Sequence, residues 1–450
     1  MKLKFDLIAI GTGSAASAAA SRCRAAGWQV AIIDSRPFGG TCALRGCDPK
    51  KVLVGAADAT DWARRMRGKG IRAEKIEIDW PELMRFKQSF TGPVPKQREA
   101  GLAKAGIAAF HGRARFIGPS TIQVGDDVLE GRYVLIATGQ KPADLKIPGA
   151  EFLTDSEQFL ELERLPQRIL FIGGGYIAFE FAHIALRAGS QVTILHQGAR
   201  PLQRFDPELV DQLVKHTREL GADIQLSSEA VGVEQTAGGL RVRIAASGRQ
   251  HTVDADLVVH AAGREPEIDD LNLEVAGVEW DKGGIKVNGF LQSVSNPAVY
   301  AAGDAKTNGG PPLTPVAAYD GMMVAANLLK GNHKEPDYSG IPTAVFTIPS
   351  LASVGLRESE ASERGLKFQV KKRTTTEWYQ SRRIAEACSG YKVLIEDETD
   401  RILGAHLLGD GAEEVINLFA LAIRNGMPAS DLKHQLFTYP THASDVPYML

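Results

Sequence analysis

Two glycine turns of identical spacing, each between an apolar strand and a helix, and a hairpin-rich final third predict an α/β chain. The expected architecture is two Rossmann-like dinucleotide-binding domains followed by an α+β domain. The first turn lies in FDLIAIGTGSAASAAASRCRAAGWQVAIID, where Gly11, Gly13 and Ala16 fill the G-x-G-x-x-[G/A] pattern. The missing side chains let the backbone approach a pyrophosphate, which then rests on the N-terminus of the helix. Asp34 closes the next strand, where a ribose hydroxyl needs an acceptor. A tight turn that binds nothing is the plainer reading, and the flanking strand and helix weigh against it.

The second turn repeats this grammar in RILFIGGGYIAFEFAHIALRAGSQVTILH, with Gly173, Gly175 and Ala178. Asp34 stands 23 residues after Gly11 and His196 stands 23 residues after Gly173, so the first clamp ends in an acid and the second in an imidazole. A carboxylate there repels a 2′-phosphate, whereas His196, with Arg200 and Arg204 downstream, attracts one. This favours NADPH over NADH, although two arginines on a solvated loop would look the same.

The segments VLIATGQKP, VVHAAGREP and VYAAGDAKTNGG each end an apolar strand in a small-residue turn, placing Ala137, Thr138, Gly139, Gly263, Gly303 and Asp304 where backbone can approach a ligand. In the last third, IPTAVFTIPSLASVGL and GYKVLIEDETDRILGAHLLG read as hairpin strands. AEEVINLFALAIRNG reads as an amphipathic helix with a glycine cap.

Composition narrows the function. A net charge of -2 argues against a nucleic-acid or anionic-membrane partner, both of which need clustered Lys and Arg. The first apolar run is too short for a signal sequence or a membrane span, so a cytoplasmic protein is expected. Four cysteines in 450 residues are too few for a secreted disulfide scaffold.

Two of them, Cys42 and Cys47, stand five positions apart in GGTCALRGCDPKK. That spacing fits neither of the commonest structural zinc patterns and no second pair completes a tetrahedral site, so no metal is expected. Cys42 follows the turn formed by Gly39, Gly40 and Thr41 and is expected to open a helix, whose dipole would lower its pKa and favour thiol–disulfide exchange. Buried reduced cysteines acting as small hydrophobes are the alternative, and Cys23 and Cys388, outside any motif, are read that way.

On these motifs the chain resembles, nearly end to end, the flavoprotein disulfide reductases with two dinucleotide sites, the family of glutathione reductase, dihydrolipoamide dehydrogenase and mercuric reductase. The resemblance implies FAD-binding segments at about 1–150 and 263–335, an NAD(P)-binding insertion at about 151–262 and a dimer interface domain from about 340 to 450. It implies FAD on the first clamp, with Ala137, Thr138 and Gly139 crossing between domains and Gly303 and Asp304 at the flavin ribitol. Cys42 would then attack a small or protein disulfide, and Cys47 would lie against the flavin. Lys50 and Glu180 would form an ion pair beneath the flavin, and Tyr176 would be the aromatic gate in front of it, although it could equally be core.

The tail departs from the family. Where relatives carry His-Pro-Thr and a glutamate five residues on, FTYPTHASD has Tyr439 and Ser444. A phenol titrating near pH ~10 is a poor base at neutral pH. His442 and Asp445 are chemically suited to take its place, with His442 of one subunit serving Cys42 of the other, or His442 is an inert interface residue. Mercuric reductases also carry a tyrosine there, but they end in a cysteine pair that DVPYML lacks. Ser21 and Met322 replace arginines that hold glutathione. Arg45 and Asp48 stand where relatives are usually uncharged. A homodimeric NAD(P)H-dependent disulfide reductase is the leading expectation. The same relay ending on quinones, dyes or metal ions, or a redox sensor without turnover, are the alternatives.

Overall fold

The computed structural model describes residues 2–72, 75–307 and 309–450. The chain forms two compact units, Met1–Lys50 with Phe86–Ala143 and Gly263–Tyr338, and Lys51–Arg85 with Asp144–Ala262 and Ser339–Leu450.

The first unit is built on a seven-stranded sheet. Its strands run in the order Ala108–His111, Val30–Asp34, Lys2–Ile10, Asp127–Ile136, Thr121–Val124 and Ala114–Gly118, with Val299–Ala301 also paired to Asp127–Ile136. Lys2–Ile10 lies parallel to both neighbours, and its last four residues are buried because helices and strands cover both faces there. The Ala-rich helix Ser14–Ala25 buries Ala15, Ala16, Ala19, Ala20 and Cys23, and the small side chains let it lie close to its neighbours. Burial pushes the Cys23 thiol up to about 12, which leaves it an inert packing group.

The second unit repeats the parallel theme in a four-stranded sheet of Asp223–Gln225, Gln191–Leu195, Arg168–Ile172 and Leu257–His260, beside an antiparallel meander over Ser228–Thr236, Gly239–Ala246 and Arg249–Ala255. Its C-terminal part is a five-stranded antiparallel sheet. The order is Thr343–Val345, Ser350–Gly355, Ile402–Gly409, Gly390–Glu396 and Phe368–Thr374, so both expected hairpins form. The expected amphipathic helix runs over Ala412–Arg424 and turns Val415, Ile416 and Phe419 into this core, with Gly426 in the left-handed region just past its end. Full burial of Phe419 alone contributes roughly 1.5–3 kcal/mol.

A buried charge cluster locks this unit. Arg187, 3% exposed, places Nε and Nη2 at 3.0 and 2.9 Å from Oδ1 of Asp61 and donates to the Ile348 carbonyl at 2.9 Å. His183 beside it bonds Thr217 Oγ1 at 2.9 Å and accepts the Ile348 N–H, and complete burial holds its pKa well below the ordinary histidine value.

Candidate active site

The first glycine turn is shaped by contacts that no side chain could tolerate. Gly11 has φ +109°, and a Cβ there would lie 2.3 Å from the Ala137 carbonyl oxygen. Gly40, at φ +74°, abuts Gly13 so closely that a Cβ would come within 2.5 Å of the Gly13 Cα. Gly13 and Ala16 sit at the start of the helix Ser14–Ala25, with Gly13 as its N-cap. Asp34 ends its strand as expected, and its carboxylate braces the loop. Oδ2 accepts from Thr12 N at 2.9 Å and Thr12 Oγ1 at 2.6 Å, while Oδ1 accepts from Arg36 N at 3.0 Å.

The residues of this unit fit FAD. Thr138 carries a buried hydroxyl oxygen with no hydrogen-bond partner among the described residues, and Gly139 follows it at φ +74°. Asp304 sits in the short turn Gly303–Ala305, and burial pushes its carboxyl above the ordinary range against the pull of Arg264 and Lys306. Asp320, which belongs to no sequence motif, holds that turn in place. It accepts from Gly303 N at 3.0 Å and Tyr338 Oη at 2.7 Å and pairs with Lys306 at 3.2 Å, with both charged side chains almost wholly buried.

The cysteine pair corrects one expectation. Cys42, expected to open a helix, is instead the third residue of the six-residue helix Gly40–Arg45, which follows the Gly39 turn and includes Thr41. Cys47 is the residue that opens a helix, Cys47–Arg65. Both sulfurs are free thiols. The Cys42 thiol is driven far above its ordinary value, first because it is hydrogen-bonded to Cys47, then by burial and by the charges of Cys47 and Asp48, with Thr314 opposing. Its Sγ donates to Asp48 Oδ1 at 3.8 Å, and Cys47 Sγ lies 3.6 Å from Thr314 Oγ1. The helix-opening position expected of Cys42 is therefore occupied by Cys47. Lys50, one turn along this helix, is buried.

In the second unit Gly173 repeats the pattern of Gly11, with φ +124° and a Cβ position 2.1 Å from the Ala261 carbonyl oxygen. Gly175 caps the helix Tyr176–Arg187, Ala178 is buried in that helix, and Tyr176 projects half-exposed from its first position. Glu180 is buried and accepts from Phe346 N at 2.9 Å. The His196 ring lies over the turn, its Nε2 3.0 Å from the Arg200 carbonyl. Arg200 is bound to Asp211 through two nitrogens at 3.0 and 3.2 Å, whereas Arg204 is exposed. In the first unit Gly263 follows with φ +122°.

The tail brings a second correction. The carboxylate bonded to His442 is Asp410, at 2.9 Å from Nε2, and not Asp445. That hydrogen bond, helped by Arg65 and Arg383, lowers the Asp410 pKa, whereas burial raises that of Asp445. Ser444 exchanges hydrogen bonds with Thr441 in the capping of the last turn, and Tyr439 is 79% exposed. Asp410 lies 32 positions from His442, beyond the reach of a local motif. Among the described residues no helix is long and apolar enough to cross a membrane, and no group of three His, Cys, Asp or Glu side chains could hold a metal ion.

Residues 5–321 match the pyridine nucleotide-disulphide oxidoreductase family, and 341–449 match its dimerisation domain. The chain is 34% identical to a glutathione reductase of Burkholderia cepacia over 453 residues, covering 99% of this chain and 98% of the relative. It is 33% identical to a mercuric reductase of Lysinibacillus sphaericus, over 98% of this chain and 81% of the relative. A dihydrolipoyl dehydrogenase of Bacillus subtilis is 31% identical, over 98% and 94%. Among solved structures, a Cu(II) complex of the HOCl-induced flavoprotein disulfide reductase RclA from Escherichia coli superimposes with a TM-score of 0.88 at 28% identity, covering 99% of this chain and 98% of that one.

Proposed function

The chain belongs to the pyridine nucleotide-disulphide oxidoreductases, enzymes that use FAD and NAD(P)H, and from that membership we propose that it reduces a low-molecular-weight or protein disulfide through Cys42 and Cys47. The observation that carries the reading is the pair itself, two free thiols in hydrogen-bond contact with Thr314 and Asp48 around them. Bound FAD supplies the passage of two electrons from nicotinamide to this pair.

Gly11, Gly13, Ala16, Gly40, Thr41 and Asp34 would hold the adenine-dinucleotide half of FAD. Ala137, Thr138, Gly139, Gly263, Gly303 and Asp304 would hold the rest. Cys47, at the helix N-terminus, carries the thiolate of the resting reduced pair, and Cys42 attacks the acceptor. Lys50 would stabilise negative charge at the flavin, Glu180 would be the buried acid of the second unit's helix, and Tyr176 would gate nicotinamide access. Gly173, Gly175, Ala178 and His196 would bind NAD(P)H. Arg204 is the cation for a 2′-phosphate, since Arg200 is held by Asp211, and NADPH is the preferred donor. Residues 341–449 support a homodimer, across which His442, backed by Asp410, would serve Cys42. A reducing cytoplasm suits this chemistry.

A second reading ends the relay on a metal cation. It is favoured by the Asp48 carboxylate beside Cys42 and by the Cu(II) bound in the RclA structure.

Anaerobic titration with NADPH and with NADH tests the relay. A long-wavelength absorption band should grow in at the two-electron stage, persist in Cys42→Ser and vanish in Cys47→Ser. A Cys42→Ser protein that still reduces disulfides would refute the assignment. Loss of disulfide and Cu(II) reduction together in that variant leaves both acceptors to the pair, and their relative kcat/KM then ranks them.

A further inference from the structure

We propose that Asp48 is an acid–base catalyst of the cysteine pair, acting within the same chain on the sulfur of Cys42. This rests on the thiol chemistry proposed above and deepens it by naming the group that moves the proton. Asp48 is the second residue of the helix Cys47–Arg65, and side chains on a helix lean toward its N-terminus, which here is where the pair lies. Its Oδ1 accepts the Cys42 S–H at 3.8 Å.

The need for such a group follows from the state of Cys42. The thiolate is the nucleophile in disulfide exchange, yet the contact with Cys47 and burial both favour the protonated form of Cys42. The imidazole that relatives use is replaced by the exposed phenol of Tyr439, and His442 would reach this sulfur only from the partner subunit, whereas Asp48 touches it within the chain. Among the described residues, this sulfur's own short helix carries Arg45, and the first turn of the next carries Cys47, Asp48 and Lys50. The helix Thr314–Lys330 presents the neutral hydroxyl of Thr314. Asp48 is the carboxylate in contact with the reacting sulfur.

The step balances without another reagent. As Cys42 Sγ bonds to one sulfur of the acceptor R–S–S–R′, its proton passes to Asp48 Oδ1. The acceptor S–S bond breaks with its electron pair on R′S⁻, and the carboxyl returns the proton to that sulfur, releasing R′SH. Cys47 Sγ, the thiolate of the pair, then attacks Cys42 Sγ in the mixed disulfide and displaces RS⁻, which takes its proton from solvent. The pair ends as a disulfide and the acceptor, reduced by two electrons, as two thiols. A carboxylate ordinarily titrates about four to five units below a thiol. Proton transfer is therefore coupled to sulfur–sulfur bond formation, and it matters most when the leaving thiol is weakly acidic.

The test uses FAD-containing protein reduced with dithiothreitol and desalted without oxygen, so that it is independent of nicotinamide. Two probes are added between pH 6 and 9, an alkyl disulfide (2-hydroxyethyl disulfide) and an aryl disulfide with a strongly acidic leaving thiol (Ellman's reagent). Formation of the Cys42–Cys47 disulfide is followed by acid quench and mass spectrometry. In Asp48→Asn the rate with the alkyl probe should fall about 10²-fold at pH 7, recover toward pH 9 and fall much less with the aryl probe, while Asp48→Glu restores part of the loss. Equal rates with both probes, or faster exchange with both because only a repelling charge was removed, would overturn the proposal. Should Asp48→Asn lose its flavin or its fold, the wild type decides. A solvent deuterium effect confined to the alkyl probe supports the role, and its absence with both probes removes it. Failure of NAD(P)H to reduce the protein would count against the relay alone, because this assay bypasses it.

Discussion

His442 and Asp410 are joined through Nε2 and Oδ2 at 2.9 Å, and the bond lowers the Asp410 pKa. A carboxyl with a depressed folded pKa stabilises the protein above its unfolded value, near pH ~4, and that contribution disappears as pH falls through the native value. Wild type should therefore melt higher than Asp410→Asn at pH 6–7, with the two converging toward pH ~3. Thermal melts across that range provide the check. A gap that stayed constant would assign the difference to something other than this charge.

The two glycine clamps should fail separately. Gly11→Ala forces a Cβ to 2.3 Å from Ala137 O, and Gly173→Ala forces one to 2.1 Å from Ala261 O, both at positive φ. The first variant is expected to purify with flavin well below one per chain. The second should keep its flavin spectrum and lose reduction by NAD(P)H at least tenfold. Flavin-to-protein absorbance ratios and anaerobic titration measure both, and loss of flavin in Gly173→Ala would contradict the assignment of the clamps.

Arg200 and Arg204 looked equivalent as sequence, and the structure separates them by pairing Arg200 with Asp211. Arg204→Glu should raise KM for NADPH about tenfold, equivalent to roughly 1.4 kcal/mol, with NADH little affected. Arg200→Ala should move the ratio much less. Steady-state kinetics with both donors decides it, and equal shifts for NADH and NADPH would remove Arg204 from the 2′-phosphate site.

The Asp61–Arg187 pair yields a stability prediction. Removing one partner of a buried pair leaves an uncompensated charge and costs about 3–5 kcal/mol, so Asp61→Asn should unfold at clearly lower denaturant than wild type. Replacing both partners, as in Asp61→Leu with Arg187→Met, should recover much of the loss. Urea unfolding followed by fluorescence tests this. A double variant no better than the single would mean that the Ile348 and His183 contacts of Arg187, or the second pairing of Asp61 with Arg65, matter more than the Asp61–Arg187 charge pairing.

Much of this was legible because glycine spacing reports backbone geometry directly. Gly11 and Gly173 are glycines because a carbonyl oxygen fills the space of a side chain, and a periodic strand and helix on either side reveal the context. The hairpins near 343–355 and 390–409 were readable from alternation and turn residues. Hidden were contacts between residues far apart in the chain. Asp320 under Gly303, Thr314 beside Cys47, Asp410 on His442 and Asp61 on Arg187 each join segments with no shared periodicity. The position of Cys42 differs from expectation for a related reason. A helix start was read correctly near the pair, but a break at Gly46 gives the N-terminal position of the long helix to the second sulfur.

The Thr12–Asp34 contact bears on how the first clamp meets its ligand. Two hydrogen bonds from Thr12 to one carboxylate oxygen fix the residue between the two glycines, so the protein's own side chains set the curvature of the loop. The conformational entropy of ordering those glycines, the most freely rotating residues in a chain, is then lost during folding and not on ligand association. If the clamp binds as proposed, such preorganisation would favour tight retention of a dinucleotide, because little ordering remains to oppose binding.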